Sequence, residues 1–132
     1  MSSRARIGYW VTLGIFSMMM TASAVMYLSG NEHMVATFRH LGYPDYFRPL
    51  LGVAKLLGVA VLLAPRVPSV VREWAYAGFG ITLIAATVSH GASGDAVANL
   101  LAPVVALVLL VAARMLGRPP ERSPVREPRA AG

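Results

Sequence analysis

The chain has 132 residues, of which 56% are hydrophobic and only 14% charged, with a mean hydropathy of +0.59. A soluble domain is nearer a quarter charged, so this composition indicates one domain embedded in a bilayer. The net charge of +6 is carried mostly by tails and one short loop beside apolar runs. With no aromatics among the tail arginines, that charge reads as a topology and lipid-headgroup signal and argues against nucleic acid. There is no cysteine, which excludes disulfides, thiolate metal sites and a thiol relay within the chain. Redox chemistry served by such a chain needs a bound cofactor, a quinone or a partner protein.

In chain order, residues 1–6 read as a short polar tail with Arg4 and Arg6. Residues 7–28 form an apolar run long enough to span a bilayer. It carries a line of small residues, Gly14, Ser17, Thr21 and Ala24, of the kind that lets helices approach closely in lipid. Arg4, Arg6 and Ala22-Ser23-Ala24 also imitate a cleavable leader, although apolar residues continue past that point. Ser29–Arg48 is a polar connection, within which Met34, Val35, Phe38 and Leu41 fit a short amphipathic helix at the interface. Gly42 and Pro44 break it. A second span is expected over 47–64, a third over 73–89 and a fourth over 96–116, kinked at Pro103. Residues 117–132 are rich in Arg and Pro, poor in apolar residues, and expected to be a disordered basic cytoplasmic tail.

The fold class expected is therefore all-α: a polytopic membrane four-helix bundle, with residues 7–116 as its membrane domain. Four spans place Arg4, Arg6, Arg66, Arg72, Arg114, Arg118, Arg122, Arg126 and Arg129 on one side, and only Arg39 and Arg48 on the other. The positive-inside rule puts both termini in the cytoplasm.

The third span has a polar stripe. At 100° per residue, Glu73, Tyr76, Gly80, Leu83, Thr87 and His90 share one face about 100° wide. Topology divides it. Glu73, an acidic residue expected in the first helical turn, anchors the inner end with Trp74 and Tyr76. Thr87 and His90 belong to the outer half, near Asp95 and Asn99 of the fourth span. Lys55 lies inside the second span, where an unpaired ammonium costs at least about 2–3 kcal/mol. Its alternatives are snorkelling to the headgroups, a structural pair, or contact with a ligand; the pairing candidates are Thr87, His90, Asp95, Asn99 and Glu32. His90 either caps its helix or serves a ligand or proton. Lys55, Thr87, His90, Asp95 and Asn99 are the candidate ligand-binding cluster. The set His33, His40, His90, Glu32 and Asp95 has metal-compatible chemistry but no ligand spacing, so no metal is assigned, and no catalytic residue is assigned either.

Four stretches resemble a known family: Leu41-Gly42-Tyr43-Pro44, Leu51-Gly52-Val53-Ala54-Lys55-Leu56-Leu57-Gly58, Glu73-Trp74-Ala75-Tyr76-Ala77-Gly78-Phe79, and Ser89-His90. Over roughly residues 8–116 the chain resembles the DoxX-like four-helix membrane proteins. The resemblance implies a multi-pass protein of a bacterial inner membrane. Some relatives are the membrane subunit of a thiosulfate:quinone oxidoreductase or are linked to oxidant-defence complexes, and a more distant branch resembles chaperones of membrane receptors. No catalytic set is carried over.

The leading functional expectation is an accessory subunit of a quinone-linked membrane redox system, with a quinone near the outer half of the bundle. The alternative is a non-enzymatic scaffold or assembly factor for other membrane proteins. A transporter ranks third, since four short helices show no inverted repeat. The expected partners are the lipid bilayer and membrane or peripheral proteins; homo-oligomerisation stays open.

Overall fold

A computed structural model describes residues 2–117, and among these the chain is all-helical, with no strand. Five helices follow in order: α1 (Ser3–Leu28), α2 (Glu32–His40), α3 (Phe47–Leu63), α4 (Ser69–Ala92) and α5 (Val97–Leu116). The tail expected over 117–132 lies outside the described residues, apart from Gly117, which caps α5.

Two helix starts differ from the sequence expectation. α1 begins at Ser3 rather than Ile7, because the Ser2 hydroxyl accepts the Ala5 N–H at 3.2 Å and so caps the first turn. α4 begins at Ser69 rather than Glu73. Pro68 has the extended backbone of an N-cap (φ −55°, ψ 142°), and nothing after it stops the helix from starting at once. Glu73 is thus one turn inside α4, not in its first turn; Arg114 of α5 holds it at 2.9 Å.

α1 packs against α3 and α5, and α4 packs against the same two helices. The four long helices close a ring, with Phe16 of α1 meeting Phe79 of α4 edge-to-face across its centre (centroids 5.1 Å apart). Leu13, Phe16, Leu62, Ala106 and Ala113 are essentially sealed from solvent. Small residues set how near the axes come. A Cβ on Gly52 of α3 would fall 2.8 Å from Leu28 Cγ and 3.3 Å from the Ala24 carbonyl of α1. A Cβ on Gly58 would fall 2.5 Å from the Phe79 ring. Of the small-residue line on α1, Ser17 and Ala24 are buried in this packing, whereas Thr21 faces outward.

The outward faces are apolar: Ile7, Met18, Leu57, Ile81, Val88 and Val108 are each more than half exposed. α1 and α5 are long and apolar enough to cross a membrane. α3 is shorter, at 17 residues, and α4 carries Arg72, Glu73 and His90 along its length. The α4 stripe read from the sequence does face the packed side: Tyr76 and Leu83 are buried, and Gly80, Thr87 and His90 half-buried.

Candidate functional site

α2 and the α4–α5 turn meet at one end of the ring. Both helix ends there are built the same way. After α2, Gly42 takes a left-handed φ of +83°, its N–H reaches the Arg39 carbonyl, and the Tyr43 N–H reaches the Phe38 carbonyl. After α4, Gly94 (φ +72°) and Asp95 bond back to the Gly91 and His90 carbonyls in the same pattern. This double closure satisfies the last carbonyls and turns the following residue back over the helix. In the first case it lays Tyr43 beside Phe38, with ring centroids 5.9 Å apart. In the second it lays the Asp95 carboxylate on His90.

His90 therefore does not cap the α4 carbonyls, which the Gly94 turn already satisfies. Its Nδ1 lies 2.6 Å from Asp95 Oδ2, and His40 Nε2 of α2 lies 2.8 Å from Asp95 Oδ1. One carboxylate joins two imidazoles from different helices. The Tyr43 and Ser89 hydroxyls meet at 2.5 Å and tie the same two segments a second time. The rings of Tyr27, Phe38, Tyr43 and Phe47 pack beneath, Tyr43 stacked on Phe47 at 4.9 Å, and Arg48 donates to the Tyr27 carbonyl.

The hydrogen bonds from His90 and then His40 hold the Asp95 carboxyl below the usual aspartate range. A carboxyl lowered in the folded state contributes stability that is fully present above its unfolded value and is lost as pH falls through the folded one. Hydrogen exchange should show the α2 amides protected from neutral pH down to about pH 4, with protection lost below that. In Asp95→Asn the protection should be weakened already at neutral pH. Equal α2 protection in both proteins across this range would show that the carboxylate does not hold α2.

Lys55 is buried, only 7% exposed, and it finds none of the partners the sequence suggested. Its ammonium donates to Ser23 Oγ of α1 at 2.8 Å and sits 4.1 Å from the Tyr27 ring centroid. The physical reason is the close approach of α1 and α3 at Gly52, less than one turn away, which brings that face of α1 within reach. Thr87 donates to the Leu83 carbonyl of its own helix at 2.9 Å, and Asn99 is exposed on α5. Of the five candidate residues, the structure brings His90 and Asp95 together and leaves Lys55, Thr87 and Asn99 apart from them. Tyr43, Ser89, Ser23 and Tyr27 are the participants that sequence reasoning missed, and His40, which it grouped with His90 only as a metal-compatible histidine, is hydrogen-bonded to Asp95. Among the described residues no group of three His, Asp or Glu side chains is arranged to hold a metal ion.

Lys55 also borders a groove of about 210 Å³ between α3 and α4, with walls formed by Leu51, Gly58, Gly78, Phe79 and Thr82 among others. The groove is largely apolar, and the Thr82 hydroxyl is already spent on the Gly78 carbonyl of its own helix. An ammonium has three N–H donors. Ser23 takes one and the Tyr27 face attracts another, so one has no acceptor among the described residues.

The all-helical fold of the described residues, their outward apolar faces and two helices long and apolar enough to cross a bilayer point to a membrane protein. The sequence model of the DoxX-like family matches residues 11–113, most of the chain, and the protein belongs to that family. No curated protein and no solved structure matches it.

Proposed function

We propose that this protein is a four-span bundle of a bacterial inner membrane, both termini cytoplasmic, serving as an accessory subunit of a quinone-linked redox system. The orientation is supported by the arginine distribution. α3 is about 25 Å long at 1.5 Å per residue, near the thickness of a bilayer core, and α4 is longer. The observation that carries the functional reading is Lys55. It is buried midway along α3, has a spare donor, and no described carboxylate balances it. Intramembrane ionisable groups are expensive and mark functional sites by default. A quinone carbonyl is an acceptor of the kind such a donor seeks, and apolar walls with few donors are what its ring needs. The chain brings no thiol and would carry no electrons itself.

The test is the quinol-to-quinone ratio of cells expressing the wild type, Lys55→Met or His90→Ala in place of the native copy. The reading expects Lys55→Met to shift the ratio as a deletion does. If Lys55→Met matches the wild type while the deletion differs, the quinone-linked role is wrong.

A scaffold or assembly role is the second reading. It is favoured by the double tie at the α2 end, which presents α2 as a fixed surface held by Asp95 and Ser89. Crosslinking in native membranes should then recover one reproducible protein partner through α2, and recovery of the chain alone would refute it.

A further inference from the structure

We infer that the α3–α4 groove is a side-opening binding site for one membrane-dissolved amphiphile, whose compact head ends in an unprotonated oxygen. The inference rests on reading α3 and α4 as membrane-embedded and Lys55 as a ligand donor; it does not depend on the ligand being a quinone.

Four observations converge. The first is the electrostatic one: Lys55 is buried beside a hydroxyl and an aromatic face, without a described carboxylate, so an oxygen acceptor supplied from outside completes its hydrogen bonds. The second is depth. The Lys55 backbone lies eight residues from Phe47 and eight from Leu63, roughly 12 Å from either end of α3, and its ammonium meets Ser23, five residues or roughly 7 Å inside the end of α1. Phospholipid headgroups stay at the interfaces, so the acceptor belongs to a molecule dissolved in the hydrocarbon. The third is size. Complete ligand pockets run to roughly 300–1,000 Å³, whereas this groove holds about 210 Å³. It accommodates a head and leaves the tail among lipid chains. The fourth is the opening. A Cβ on Gly78 would meet nothing within 4 Å, so α4 leaves empty space at that point of the wall. Gly58 lets the Phe79 ring lie against α3 and form the inner wall of the groove.

The occupant is thus an oxygen-headed amphiphile such as a ketone or carboxylate with a hydrocarbon tail. Lys55 sets the head and Gly78 keeps the opening clear. The site is tested with the full chain in phosphatidylcholine nanodiscs and two probes, each with a diazirine in its tail: a long-chain fatty acid and a prenylated benzoquinone. At least one probe should label residues 51–58 or 74–82 saturably. Labelling should fall about tenfold or more in Lys55→Met, the size expected for a lost hydrogen bond to a charged group. It should fall similarly in Gly78→Leu, which fills the groove. It should survive in Lys55→Arg, and in Val88→Leu on the outward face of α4. Thermal midpoints verify folding; if Gly78→Leu does not fold, the Met and Arg variants at Lys55 decide. Labelling by the fatty acid alone supports the site and refutes the quinone-linked role. Labelling by the quinone supports both. No saturable labelling, or equal labelling of the wild type and Lys55→Met, overturns the site.

Discussion

Phe16→Ala is expected to lower the stability of the folded bundle by about 2–3 kcal/mol. Phe16 is fully buried and stands edge-on to Phe79, a ring-to-ring contact that joins α1 to α4 across the ring. In water-soluble cores a Phe→Ala change costs about 3–5 kcal/mol, part transfer and part cavity. Helices separated in lipid keep apolar surroundings, so most of the transfer part disappears and the cavity and lost packing remain. Gly58 gives the complementary expectation. Any larger residue there must displace the Phe79 ring, which Phe16 holds in place, so Gly58→Leu should destabilise by about 1–3 kcal/mol through overpacking. Thermal or denaturant unfolding in detergent micelles measures both. A Phe16→Ala protein as stable as the wild type would mean that the Phe16–Phe79 contact does not hold the ring together.

Lys55→Met is expected to do the opposite and stabilise the protein, by about 1–2 kcal/mol. On the proposed four-span reading, a lysine at the centre of α3 costs about 2.5–3.5 kcal/mol on insertion scales. Ser23 and the Tyr27 face return only part of that, since a cation–π contact contributes about 0.5–2 kcal/mol. Methionine keeps the length of the stem and removes the charge. Residues held at a cost to stability are characteristic of function. If Lys55→Met unfolds more easily than the wild type by a similar amount, Lys55 is a structural tie between α1 and α3 and not a ligand donor.

Much of the fold was legible because bilayers and helices both speak through simple patterns. Run length and the sparse charges disclosed an all-helical membrane protein, and the four quoted stretches disclosed its family. The α4 stripe disclosed which face turns inward. The start of α4 was harder to place because hydropathy marks the apolar run and not the helix end: Pro68 takes the N-cap backbone and the helix begins at Ser69, four residues before Glu73. The site was harder to read. Periodicity on α3 says that Lys55 needs a partner but not which neighbour supplies it; that choice depends on Gly52 letting α1 come close. The His40–Asp95 contact joins residues 55 positions apart, beyond any local pattern. A signal was nevertheless present. Gly42 after α2 and Gly94 after α4 are both helix-closing glycines, and each turns the next residue, Tyr43 or Asp95, back over the helix it follows.

The buried Lys55 is the feature on which the functional account turns, and native mass spectrometry of the full chain extracted from its own membranes tests it most directly. The wild type should carry one additional lipophilic, oxygen-containing molecule, and that mass should be absent from Lys55→Met purified in parallel. A wild-type protein with no bound molecule, or the same bound mass persisting in Lys55→Met, would contradict the account.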